Sequence, residues 1–107
     1  MAVTGKWTLF YDWHCDGSYS SVTMDIKADG TWSDGHYNGL WVQVTGMFMF
    51  TFNNSETTYS GNLASKSITG IMTTFSGLQG CFYMLREGVP VSFAVRQISE
   101  KADSAGK

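Results

Sequence analysis

The chain is short of proline, cysteine and charge, with one Pro, two Cys, and Asp, Glu, Lys and Arg together at 15% of 107 residues. Average globular domains carry about 25% charged residues. Net charge is −2 and no basic run occurs, which excludes duplex nucleic acid as a partner, because that binding draws on neutralised phosphates. No apolar run approaches the ~20 residues of a membrane-spanning helix, and the candidate strands are shorter than membrane strands. No window of useful length spaces apolar residues at helical intervals. There is no phosphate loop, no Gly-x-Ser-x-Gly elbow and no Cys-x-x-Cys pair. Met1-Ala2-Val3-Thr4-Gly5 lacks the basic segment and apolar stretch of a signal peptide, so the expected location is cytoplasmic. A mature form with an added Met would read the same way and place it in the periplasm or outside the cell.

What is present is apolar and aromatic. The apolar fraction is 43% and the aromatic fraction 15%, with four Trp, five Tyr, seven Phe and six Met. That composition argues against disorder, and the length fits one domain. The surface is left to Thr, Ser, Asn and Gly, as in many β-proteins.

Alternation runs almost end to end. Gly5–Trp13 places Trp7, Leu9, Tyr11 and Trp13 on one face, and after a polar loop the segment 20–28 alternates Val22, Met24 and Ile26 with Thr23, Asp25 and Lys27. Asp29-Gly30 supplies a hairpin turn. Further strands are expected at 31–34, 39–45, 47–52, 57–63, 67–75 and 81–86, with turns at Gly35, Gly46, Asn53-Asn54-Ser55, Ser65-Lys66 and Gly77-Leu78-Gln79-Gly80. Eight short strands joined by tight turns predict an antiparallel up-and-down order. A long meander removes its edges by closing into a barrel. The fold class is therefore all-β, an eight-stranded up-and-down barrel with an interior wide enough for side chains or one small molecule. Residues 89–97 alternate Val89, Val91, Phe93 and Val95 and hold the lone Pro90, which suits an appended C-terminal strand at an edge. The single barrel domain is expected over 1–98, and the polar residues 99–107 as a disordered tail.

Gly5-Lys6-Trp7 at the head of such a meander resembles the calycin group, the lipocalin-like and avidin-like barrels, in its short bacterial members. Asp29-Gly30-Thr31, Thr58-Tyr59-Ser60-Gly61 and Thr69-Gly70-Ile71-Met72 look similar as well, and the resemblance spans residues 5–86. It implies a structural plug at one end of the barrel, with Trp7 covered by Arg86 (or Arg96) in a cation–π contact. The chain has no room for the helix that follows a lipocalin barrel. The polar set with which avidins hold biotin has no residue-by-residue match, so no cofactor is expected.

Cys15 follows the first strand and Cys81 opens the eighth, so a closed meander brings them to the same end. They are either a disulfide across the closure seam or two reduced, partly buried thiols. Asp12-x-His14-Cys15-Asp16 is the densest polar cluster and the sole enzyme-like gathering. Neighbours on a regular strand point to opposite faces, so a metal site or a Cys–His pair there is disfavoured against a polar loop at the barrel mouth. His36 has no evident partner. Asp25-x-Lys27-x-Asp29-Gly30 echoes a calcium loop, but Lys27 and His36 stand where oxygen ligands are required.

The expected function is non-catalytic binding of a small apolar molecule in the mouth or interior, lined by Tyr11, Trp13, Tyr19, Trp32, Tyr37, Trp41 and Tyr59. The alternative is a filled barrel, its interior packed by Trp7, Tyr11, Trp13, Met24, Trp41, Met49, Tyr59, Met72 and Tyr83, that engages partners through an outer apolar face. Residues 47–50 and 81–85 are apolar on both faces, so their outward side chains need cover, from residues 89–97 or from a second copy in a dimer.

Overall fold

Strict alternation over six to nine residues has one stable outcome, a strand with one wet face and one dry face. The computed structural model, which describes residues 3–53 and 56–90, contains eight strands, seven of them of six to nine residues and one of three. They are β1 (Gly5–Trp13), β2 (Ser20–Ile26), β3 (Thr31–Ser33), β4 (Asn38–Val44), β5 (Met47–Phe52), β6 (Thr58–Leu63), β7 (Ser67–Thr73) and β8 (Gln79–Arg86). Each pairs with the next and β8 returns to β1, so the sheet closes into an antiparallel up-and-down barrel. The closing ladder runs from Trp7 opposite Arg86 to Trp13 opposite Gly80. This is the architecture that the sequence pattern predicts. The described elements include no helix. The expected C-terminal strand, beyond Pro90, and the tail lie outside the described residues.

Local differences from the expected boundaries have local causes. Gln79 and Gly80 belong to β8 rather than to a turn, because Trp13 and Met72 both pair with Gly80. The actual turn is tighter, with Thr74 N–H donating to the Leu78 carbonyl at 3.0 Å and Gly77 at φ +95°. Between β4 and β5 the positive φ falls on Thr45, at +49°, and not on Gly46.

Alternate residues fill the interior. Trp7, Leu9, Met24, Ile26, Trp32, Phe48, Phe50, Tyr59, Ile68, Met72, Phe82 and Met84 form one buried cluster with Val3. Phe50 stacks on Tyr59 with ring centroids 4.5 Å apart, and Tyr59 meets Phe82 edge-on at 5.1 Å. Room for the Phe82 ring comes from Gly61 and Gly70, which pair across β6 and β7. A Cβ at Gly61 would stand 3.1 Å from the Phe82 ring tip and 2.5 Å from the Thr69 carbonyl.

Two residues expected inside the barrel are on its outside. Met49 lies between the inward Phe48 and Phe50 and pairs with the exposed Val42. Tyr83 belongs to a second buried cluster with Leu85, flanked by Phe10 and Val89, and stacks on Phe10 at 4.6 Å. The outward side chains of β8 are thus covered. Those of β4, β5 and β7 are not, for Leu40, Val42, Val44, Met47 and Ile71 are all exposed, Ile71 by 60%.

Candidate functional site

In an up-and-down barrel, alternate loops share an end. The β1–β2, β3–β4, β5–β6 and β7–β8 loops rim one mouth, and the N-terminus, the β2–β3, β4–β5 and β6–β7 loops and the end of β8 lie at the other. That second end is plugged. Trp7 is fully buried and its indole N–H donates to the Val3 carbonyl at 2.8 Å. The Arg86 guanidinium carbon lies 4.6 Å from the ring centroid, and Arg86 also donates to the carbonyls of Thr4 at 3.2 Å and Ser65 at 3.0 Å. With one end stoppered by indole and guanidinium, any interior space opens at the first end.

Such a space exists, a cavity of about 560 Å³ lined by Leu9, Tyr11, Trp13, Val22, Asp34, His36, Tyr37, Phe52, Thr57 and Tyr59. β1 and β2 supply one wall, and β5 with β6 the facing one. The β3–β4 loop supplies the third. Asp34 holds that loop in place: its carboxylate accepts the backbone N–H groups of His36 at 2.9 Å and Tyr37 at 2.6 Å, and its own N–H donates to the Tyr37 carbonyl. The fixed loop turns Tyr37 edge-on to Phe52 at 5.6 Å and to His36 at 4.5 Å. Phe52 in turn lies 5.8 Å from Tyr59. A continuous aromatic wall therefore runs from rim to core. Burial, and secondarily the neighbouring Tyr11, pushes the Tyr59 phenol well above its ordinary range, so Tyr59 is a neutral hydroxyl that can donate or accept.

Of the seven residues expected at the site, Tyr11, Trp13, Tyr37 and Tyr59 line the cavity. Trp32 is buried beneath it, its indole N–H on the Thr51 carbonyl at 2.9 Å and its ring against Phe50 and Phe52. Trp41 lies toward the plugged end, donating to the Lys27 carbonyl at 2.8 Å. Tyr19 is on the outside, edge-on to Tyr83 at 5.0 Å. Leu9, Val22, Asp34, His36, Phe52 and Thr57 are lining residues that residue type alone did not single out. The parity of loops in a meander would have found Asp34, His36 and Thr57, and the inward parity of β1, β2 and β5 the other three.

The polar segment after β1 is a built turn. His14 and Cys15 both adopt positive φ, +75° and +53°, which reverses the chain and brings Cys15 to Cys81, with S–S 1.96 Å and Cα–Cα 5.2 Å. The sulfur of Cys15 is thus in a bond and is not a thiol nucleophile. Asp12 is 2% exposed, and one of its oxygens accepts the Gly17 N–H at 2.7 Å. The Asp16 carboxyl is held below its usual range, first by the backbone N–H of Ser18. Among the described residues no group of three or more His, Cys, Asp or Glu side chains is arranged to hold a metal ion.

Charge is unevenly distributed along the barrel axis. Asp12, Asp16, Asp34 and Glu56 are at the mouth with no described Lys or Arg, whereas the plugged half mixes every described Lys and Arg (Lys6, Lys27, Lys66 and Arg86) with Asp25, Asp29 and Glu87.

Comparison of the chain with protein-family models, with curated proteins and with solved structures gave no match.

Proposed function

We propose that this protein is a non-catalytic binding protein that holds one small, largely apolar molecule in the mouth of its barrel. The observation that carries the reading is the cavity of about 560 Å³, within the ~300–1,000 Å³ of small-molecule sites. Its apolar floor of Leu9, Val22 and Phe52 and its phenols have the composition such sites share. Aromatic rings give a ligand contact area without much loss of side-chain freedom, and the Tyr11, Tyr37 and Tyr59 hydroxyls orient its polar atoms. A calycin-like barrel is part of the same reading, supported by Gly5-Lys6-Trp7 and by the guanidinium stacked on the plug.

Titration with the neutral fluorophore Nile red tests it. One molecule should bind per chain, with a blue shift, and Val22→Trp or Thr57→Trp should abolish binding by filling the cavity while the β-type circular dichroism spectrum is kept. Binding that survives both well-folded variants would overturn the site.

A second reading concerns the outside. Leu40, Val42 and Val44 of β4, Met47 of β5 and Ile71 of β7 expose apolar side chains on one wall, which across β4–β7 carries no charged outward residue. An uncharged, self-similar face suits a second copy of this chain in a two-fold dimer. Sedimentation should then show a dimer that Val42→Lys with Ile71→Lys converts to monomer. A wild-type monomer at high concentration overturns this reading and leaves the first intact.

A further inference from the structure

We infer that the mouth selects a small organic cation, one that carries a tertiary or quaternary ammonium group. The inference rests on the binding reading above and narrows it to a chemical class. Three observations converge. First, the cavity wall is rich in aromatic rings: Tyr11, Trp13, Tyr37, Phe52 and Tyr59 all line it. Aromatic faces carry negative charge density, so rings arranged around a space attract a weakly hydrated cation. Secondly, among the described residues Asp34 is the one carboxylate in the wall and no Lys or Arg lines it. The Asp34 carboxylate is fixed by two backbone N–H groups, so its charge is positioned before any ligand arrives.

Thirdly, the charge distribution of the barrel points the same way. The four carboxylates at the mouth, set against cations confined to the plugged half among the described residues, make the opening negative. A low-dielectric cleft of one sign of charge concentrates ions of the opposite sign. An anionic ligand would be repelled by Asp34 and by the ring faces, and a neutral one would gain contact area from the rings but nothing from the carboxylate charge.

Two probes of the same shape isolate the charge: meta-hydroxyphenyltrimethylammonium and its neutral isostere meta-tert-butylphenol. Their dissociation constants would be measured by calorimetry and by displacement of Nile red, at low and high salt. The cation should bind about tenfold or more tightly than the isostere, and added salt should narrow the ratio. Asp34→Asn keeps an acceptor oxygen for the His36 and Tyr37 N–H groups while removing the charge, so the ratio should fall several-fold toward one. Tyr37→Leu, which deletes one ring and leaves the carboxylate, should lower the ratio by a smaller factor. Equal affinities, or a preference for the isostere, overturn the cation inference and leave the binding reading standing. So does Nile red binding with neither probe competing. If Nile red also fails to bind, the binding reading falls with it.

Discussion

The guanidinium carbon of Arg86 lies over the Trp7 ring, 4.6 Å from its centroid, and these two residues face each other across the seam where β8 closes on β1. The contact therefore serves both as plug and as clasp. Three elements meet in it, since Arg86 also donates to the carbonyl of Thr4 before β1 and of Ser65 before β7.

Arg86→Lys should destabilise the barrel by about 1–2 kcal/mol and Arg86→Ala by roughly 2–4 kcal/mol. Lysine keeps the charge but loses the planar fork and the contact with the indole, whereas alanine also leaves the Thr4 and Ser65 carbonyls without a charged donor. Urea denaturation curves with an unchanged slope would measure the loss. Equal stability of wild type and Arg86→Ala would mean that the seam is held by its backbone ladder alone.

At the opposite end the Cys15–Cys81 bond closes a loop with a sequence separation of 66. By loop-closure entropy such a crosslink restricts the unfolded chain by ~4 kcal/mol, and measured values for native bridges run about 2–5 kcal/mol. The Cys15→Ser, Cys81→Ser double variant should lose stability in that range. Thiol titration of the unreduced protein in denaturant should find no free thiol, and titration after reduction should find two. Two thiols before reduction would remove the bridge.

Thr45 is a β-branched residue at φ +49°, a conformation costing an L-residue about 1–2 kcal/mol. Its hydroxyl donates to the Val44 carbonyl at 2.7 Å, a bond exposed to water. Thr45→Asn should therefore raise stability by about 1 kcal/mol, because Asn tolerates the left-handed region far better. Thr45→Gly should gain less, since glycine costs more entropy on folding. A destabilised Thr45→Asn would show that the hydroxyl bond outweighs the strain.

The period of two made the fold readable. With Trp7, Leu9, Tyr11 and Trp13 on one face, β1 could be nothing but a half-buried strand, and the glycine turns counted the rest. The site was read from residue type, and there type misled. Tyr19 and Trp41 are as aromatic as Tyr11 and Trp13, yet one meets Tyr83 edge-on outside and the other packs toward the plug. What separates them is parity and height along the barrel, which follow from register. The same holds for Met49, apolar but outward between two inward phenylalanines. Asp34 and His36 look like ordinary loop residues until the β3–β4 loop is assigned to the open end. Ser67 and Leu85 pair on the outer wall and both are buried, which no local pattern announces.

Tyrosine ionisation offers a test of the packing on both walls. Burial raises the phenol of Tyr59 inside the barrel. It also raises Tyr19, aided by the charge of Asp12, and Tyr83, aided by Tyr19, on the outside. A group whose folded pKa is raised holds its proton more tightly in the native state than in the unfolded one. Its contribution is complete below the unfolded value of about 10 and is lost as pH climbs from there toward the folded value. Stability should therefore hold up to about pH 10 and decline above it. Absorbance at the tyrosinate band should show the phenols of Tyr19, Tyr59 and Tyr83 ionising later in the folded protein than in denaturant. Tyr59→Phe should remove the last of the late steps and soften the alkaline decline. If these three phenols titrate near the ordinary value while the β-type spectrum persists, the rings are wetter than the packing of Tyr59 on Phe50 and of Tyr83 on Phe10 requires.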